Sequence, residues 1–175
     1  MKEQQFQEAI FKVILGRRSV RRYLDKIPER DKILKILEAG IWAPSGHNNQ
    51  PWRFVIIWSQ EIKNKLSELT IYKSLIKEAP LLIGIFLDKK AMYNQIKDHQ
   101  SAGACIQNIL LSAYALGLGT CWIGEILKKE DKVKEILELE KERYEMCALI
   151  AVGYPDDKSP RTGRYPLEHF LLKEL

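Results

Sequence analysis

The segment Ala43-Pro44-Ser45-Gly46-His47-Asn48-Asn49-Gln50-Pro51-Trp52 holds the densest set of residues capable of chemistry in this chain. Two prolines restrict its backbone, and between them Ser, Gly, His, Asn and Gln supply small size and hydrogen-bonding groups. That mixture suits a wall against which a flat, polar-edged ligand rests. A second candidate is Gly16-Arg17-Arg18-Ser19-Val20-Arg21-Arg22-Tyr23, where four arginines crowd around one serine. A phosphate needs charge-compensating donors in fixed geometry, which the planar guanidinium fork provides, and Ser19 adds a neutral hydroxyl. The same residues read equally well as the basic end of a helix, because the macrodipole favours cations at a C-terminus.

The remaining polar motifs exclude more than they assign. Gly117-Leu118-Gly119-Thr120-Cys121-Trp122-Ile123-Gly124 is glycine-rich, but the dinucleotide fingerprint needs glycine where Trp122 stands. The segment also follows a helical pattern and precedes a strand-like one, the reverse of the Rossmann order, and no Walker lysine occurs. Arg161-Thr162-Gly163-Arg164 forms a second basic cluster, which on its own reads as a surface loop. His47, His99 and His169 lack metal-ligand spacing, so no metal site is assigned. No Ser-His-Asp set or Gly-x-Ser-x-Gly elbow is visible. With no acid, base or nucleophile to name, no catalytic side chain is assigned, and an enzyme of this sequence needs a cofactor to carry its chemistry.

At 175 residues with 46% hydrophobic and 29% charged residues, the chain fits one soluble domain able to bury a real core. A formal charge of +5 and a pI near 9.0 fit either nucleic acid or a phosphorylated small molecule. The small molecule is favoured, because the arginines gather in one loop while lysines elsewhere alternate with glutamates, as in Lys128–Glu135. Only Tyr23 interleaves an aromatic with the basic cluster, so nucleic acid is not expected as a partner. Cys105, Cys121 and Cys147 sit in apolar surroundings at unrelated spacings, as small buried hydrophobes of a reducing compartment would. Met1–Gln5 carries no apolar signal region, and no stretch approaches the roughly 20 apolar residues of a membrane span. A cytoplasmic protein without membrane partners is expected.

Phe6, Ile10, Val13 and Ile14 predict a first helix that stops at Gly16, and a second is predicted over 29–42 with Ile33, Leu34, Ile36 and Leu37 inward. Strands are predicted at 53–58, 81–87, near 120–123 and over 144–152. The unbroken apolar run Leu81–Leu87 calls for burial on both faces. A weak helical pattern covers 60–69, a long and nearly uncharged helix about 100–116, and a charged helix about 128–138. The last twenty residues have no core of their own. This alternation predicts a sheet covered by helices.

Taken together, the motifs resemble the FMN-dependent nitroreductase family. An Arg-Arg-Ser loop after the first helix is Arg17-Arg18-Ser19 here, and a Pro-Ser-x-x-Asn-x-Gln-Pro-Trp segment after the second is matched by Pro44, Ser45, Asn48, Gln50, Pro51 and Trp52. Gln107 and Asn108 precede Gly117, Gly119, Cys121 and Trp122, and a Gly-Tyr-Pro strand end, Gly153-Tyr154-Pro155, precedes Arg164. These four motifs occur in family order over nearly the whole chain.

The resemblance implies a single α+β domain over 1–175: a three-layer α/β/α sandwich with a mostly antiparallel central sheet, homodimeric, its tail from about 156 packing on the partner subunit. It implies one FMN per subunit at the dimer interface. Arg17, Arg18, Ser19, Arg21 and Arg164 would hold the phosphate and ribityl chain. Pro44, Ser45, Gly46, Asn48 and Gln50 would line the isoalloxazine from the other subunit. A backbone N–H near Ile123 and Gly124 would approach flavin N5, where a donor stabilises the added electron density without a protein acid or base. The implied reaction is ping-pong, from NAD(P)H through FMN to a nitroaromatic, quinone or flavin acceptor. Alternatives are a non-catalytic FMN carrier or redox sensor, or a specialised branch such as flavin fragmentation or reductive dehalogenation. The chain departs from longer members in two places. Only about ten polar residues follow Leu87 where many members carry a helical insertion, and Ser101, with Asp98 nearby, stands where an acid is common.

Overall fold

The apolar run at 81–87 does receive cover on both faces. In the computed structural model, which describes residues 3–156 and 162–175, every residue of β2 (Leu81–Asp88) is buried. β1 (Trp52–Ile57) and β4 (Tyr144–Gly153) flank it, and β3 (Gly119–Ile123) lies outside β4, giving the order β1-β2-β4-β3. All three pairings are antiparallel. One face is covered by α2 (Arg30–Ile41) and α5 (Gln95–Ala115), with Ile33, Ile36, Ile106 and Ile109 packed on Ile83, Ile85 and Ile150. The other face is covered by α3 (Gln60–Ser67), α4 (Lys73–Glu78) and α6 (Glu130–Ile136), through Leu66, Ile76 and Val133 on Leu82, Phe86 and Leu149. Each fully buried Ile or Leu contributes roughly 1.5–3 kcal/mol, so the two layers together fix the sandwich. The α+β, three-layer expectation holds.

The ends of elements follow local chemistry. Ser59 caps α3 by accepting the Ile62 N–H at 3.3 Å, and Asn94 caps α5 by accepting the Lys97 N–H at 3.0 Å. α5 ends in a Schellman arrangement, with Gly117 N–H on Tyr114 O and Leu118 N–H on Ala113 O. Gly117 there has φ +76°, which a residue without Cβ adopts at no steric cost.

Several expectations need correction. α5 begins at Gln95 rather than near 100 and so includes His99; its first turns are polar and show no apolar period, and the Asn94 cap sets the start. The charged helix is shorter than 128–138, because Glu125–Lys129 forms a 3-10 turn before it. α4 has no counterpart among the predicted elements, since six residues are too few for a period to show. Leu34 faces outward at 40% exposure, because Ile33, Ile36, Leu37 and Gly40 form the inward stripe and Leu34 is turned about 100° from it. Cys105 and Cys121 are buried, whereas Cys147 is only partly so.

α1 (Glu3–Gly16) is a helix as predicted, yet none of its residues is buried. Phe6, Ile10, Phe11, Ile14 and Leu15 all lie exposed, as do Leu167, Phe170, Leu171 and Leu172 of the tail. No helix among the described residues is long and apolar enough to cross a membrane.

At one end of the sheet the Asp88 carboxylate receives Arg143 at 3.1 and 3.2 Å and Arg53 at 3.2 Å. The Arg143 hydrogen bonds hold its pKa below the ordinary carboxylate value, against the opposing effect of burial. A depressed folded-state pKa adds stability above the unfolded value of about 3.9, lost as pH falls through the lower folded value. Thermal melts in acid should therefore show wild type losing stability below about pH 4, with a flatter dependence in Asp88→Asn. Parallel pH curves for the two proteins would remove this pair from the acid response.

Candidate functional site

Two groups of polar residues stand at opposite edges of the sheet. The first begins where α1 ends. Beyond Gly16 the chain runs along the β3 edge: Ser19 bridges Thr120 in parallel, Val20 N–H donates to Thr120 O at 2.8 Å, and Tyr23 pairs with Pro155. Arg18 Nη1 donates to the Leu15 and Arg17 carbonyls at 2.5 and 2.8 Å, so this arginine does serve the end of the helix. Arg17, Arg18 and Arg164, with Ile14, Leu15, Thr162 and Gly163, line a cleft of about 380 Å³. The Nε atoms of Arg17 and Arg18 are buried without a hydrogen-bond partner among the described residues. Burial lowers the Arg17 pKa, and the Arg164 and Arg18 charges lower it further. Among the described residues no carboxylate lies within ion-pairing distance of these three guanidiniums. Three clustered cations, two of them with a buried unsatisfied Nε, carry the donor chemistry that suits a multivalent anion.

Arg21 is exposed and directed elsewhere: its charge acts on Tyr23 and Cys121, lowering both against the larger upward effect of burial. Arg161 lies outside the described residues, as does the stretch 157–160 of the tail.

β3 carries this group to its end. Ile123 pairs with Leu149, and its side chain is buried. Gly124 then leaves the sheet exposed, with no atom within 4 Å of where a Cβ would stand. The position of the arginine loop depends on another glycine. A Cβ on Gly119 would stand 2.8 Å from Val20 Cβ and Cγ2. Gly119→Ala should push Val20, and with it Arg18 and Ser19, off the β3 edge, at about 1–3 kcal/mol of stability. A thermal melt unchanged from wild type would show that the loop yields freely.

The second group is the loop after α2, which leads into β1. Pro44, His47, Asn48 and Gln50 are exposed, with Ser45, Gly46 and Asn49 half-buried. Three residues occupy the left-handed region, His47 (φ 53°), Asn48 (φ 54°) and Gln50 (φ 45°), a conformation that costs a non-glycine residue on the order of 1 kcal/mol or more. Ser45 Oγ accepts the Gln50 N–H at 3.2 Å, and Gln50 Nε2 donates to Asn48 O at 3.1 Å. Asn49 Nδ2 donates to Ala91 O at 3.0 Å and to Asp98 Oδ1 at 2.7 Å. Burial raises the Asp98 pKa, but hydrogen bonds from Asn49 and from the Asn94 and Tyr93 amides outweigh it and leave the carboxyl below its usual range. Asn49, Tyr93 and Asp98 are absent from the site residues that the sequence points to. The available signal was an acidic residue just inside the N-terminus of a helix, where the macrodipole favours it.

The fold thus gathers Arg17, Arg18, Ser19 and Arg164 at one corner and Pro44, Ser45, Gly46, Asn48 and Gln50 at another. β1 and β3, which carry them, are the two edge strands, three strand spacings of about 4.8 Å apart. Among the described residues no group of three metal-ligating side chains occurs.

A family model described as Nitroreductase family matches residues 14–82 and 67–154. An Archaeoglobus fulgidus protein assigned as an NADH dehydrogenase/NAD(P)H nitroreductase is 34% identical over 154 residues, covering 86% of this chain and 88% of that one. The FMN reductase [NAD(P)H] of Bacillus subtilis is 28% identical over 177 residues, covering 91% of this chain and 71% of its own. A crystal structure from Desulfovibrio desulfuricans, assigned as a nitroreductase in complex with FMN, superposes with a TM-score of 0.90 at 43% identity, covering 95% of this chain and 96% of that one.

Proposed function

The chain belongs to the nitroreductase family, and we propose that it is a homodimeric, FMN-dependent NAD(P)H oxidoreductase. NAD(P)H delivers a hydride and leaves, and a nitroaromatic, quinone or flavin acceptor then takes the two electrons. Bound FMN supplies the redox chemistry; the chain's own residues bind and orient it. The observation that carries this reading is the arginine corner, where Arg17, Arg18 and Arg164 line one cleft, two Nε donors are buried unsatisfied, and no described carboxylate pairs with them. A phosphate dianion is the partner this donor set fits, with Ser19 as a further donor, whereas Arg21, directed toward Tyr23 and Cys121, is left out of it. The exposed Gly124, with open space where a Cβ would stand just after Ile123, suits the edge of a flat ring, where an N–H donor stabilises developing negative charge.

Two features support homodimerisation. The loop Pro44–Gln50 and the arginine corner stand on opposite sheet edges, so one chain does not enclose a ring and its phosphate together. The exposed apolar face of α1 and the exposed tail also form a surface of the kind that partners cover. Within the chain, Thr162–Arg164 stands beside α1, and the proposal that the rest of the tail packs on the partner subunit rests on its exposed Leu167, Phe170, Leu171 and Leu172. The relatives named for NAD(P)H-dependent reduction, and the FMN-bound structure from Desulfovibrio desulfuricans, support the same reading.

An absorbance spectrum of the purified protein, before and after anaerobic NADH and NADPH, tests it. Flavin bands that bleach with either nucleotide are expected. Bands that persist would convert the reading to an FMN carrier or sensor. A colourless protein that gains no bands when FMN is added would overturn it.

A further inference from the structure

We propose that Asp98 is a positioning residue: its carboxylate holds Asn49, and through it the strained turn 45–50, in the shape that the loop presents to the flavin ring. The assignment rests on the reading above, in which this loop lines FMN across the dimer interface.

Asp98 is fully buried, and both of its oxygens are engaged. Oδ1 accepts Asn49 Nδ2 at 2.7 Å, while Oδ2 accepts the Tyr93 and Asn94 amides at 2.9 and 2.8 Å. One carboxylate therefore ties the loop before β1 to the turn that opens α5. Asn49 spends its second Nδ2 proton on Ala91 O at 3.0 Å, so two acceptors fix its amide orientation. Tyr93 closes the assembly from outside. A Cβ on Gly46 would lie 1.9 Å from Tyr93 Oη, so the phenol sits directly over that glycine, and His47 meets the Tyr93 ring edge-on at 4.9 Å.

What is held in this way is costly and contributes little to the core. His47, Asn48 and Gln50 all have positive φ, and all three side chains are exposed. Backbone strain of this kind persists only where surrounding contacts over-determine it, and it clusters where a ligand needs a pre-formed surface. Releasing Asn49 would let the turn relax. The flavin would then have to reorder the loop on binding, and that cost would appear as lost affinity.

The test uses the full-length protein reconstituted with FMN, and compares wild type with Asp98→Asn, Asn49→Ala and the double variant. The readouts are FMN affinity, visible-region circular dichroism of the bound flavin, and thermal stability of the FMN-free protein. In Asp98→Asn one oxygen can still accept the Tyr93 and Asn94 amides, but the new NH₂ faces the donor of Asn49 and breaks that link. FMN dissociation constants roughly tenfold higher are expected in both single variants, with an altered visible dichroism. The double variant should be no weaker than the single ones, because the two residues act through one another. If Asp98→Asn fails to fold, Asn49→Ala carries the comparison alone, since Asn49 lies in the half-exposed loop. Wild-type affinity and dichroism in the variants, even with a lowered melting temperature, would make Asp98 a residue of the fold only and overturn the assignment. Wild-type protein that takes up no FMN would overturn the functional reading, and the assignment with it.

Discussion

Arg17→Ala should weaken FMN binding by roughly 10- to 150-fold, the equivalent of hydrogen bonds to a charged group worth about 1.5–3 kcal/mol. The same substitution should leave the FMN-free protein as stable as wild type or slightly more so. The two signs differ because burial and the like charges of Arg164 and Arg18 already disfavour the Arg17 cation in the free protein, and its Nε has no partner among the described residues. Removing it relieves repulsion and desolvation, whereas in the complex it removes a charge-assisted bond to phosphate. Arg164→Ala should behave alike, since the same cleft holds both. Isothermal titration with FMN, paired with thermal melts of the FMN-free variants, separates the two effects. Unchanged affinity in both variants would remove the phosphate assignment.

Phe11→Glu should convert the dimer to a monomer and release its flavin. In the single chain Phe11 is 62% exposed on a helix with no buried residue, so a carboxylate there remains hydrated and the domain stays folded. In a dimer that covers α1, the same carboxylate would be buried without a partner. An uncompensated buried charge costs about 3–5 kcal/mol, which weakens association by roughly 150- to 4,000-fold. In the proposed dimer, loss of the partner would also remove the loop Pro44–Gln50 from the ring of the other subunit, so oligomeric state and flavin content should fall together. Gel filtration with absorbance at both protein and flavin wavelengths reads this in one run. A variant that stays dimeric and yellow would show that α1 lies outside the interface.

The arginine corner and the sandwich were legible for different reasons. β2 announced itself because a strand covered on both faces has no polar positions to interrupt it, and Leu81–Leu87 contains none. Arg17, Arg18 and Ser19 stood out because a phosphate site needs an unusual local density of donors. Arg164 was linked to them only by family resemblance, and the fold then set it beside Arg17 across well over a hundred residues of chain. Asp98 was the reverse case. It stands in a polar stretch, Asn94–Gln100, with no apolar period to mark a helix, so neither the early start of α5 nor the burial of this carboxylate could be read.

The sequence by itself determined a sheet covered by helices, the buried central strand and the residue types at both corners, because burial periodicity and donor density are written locally; the three-layer α+β form came from the family resemblance. Only the tertiary structure decided that the two corners lie on opposite edges of one sheet, that α1 spends no side chain on the chain's own core, and that Asp98 grips the loop after α2. Each of those depends on which strands become neighbours and on which surfaces remain uncovered. Such facts arise when distant segments pack together, and no single segment carries them.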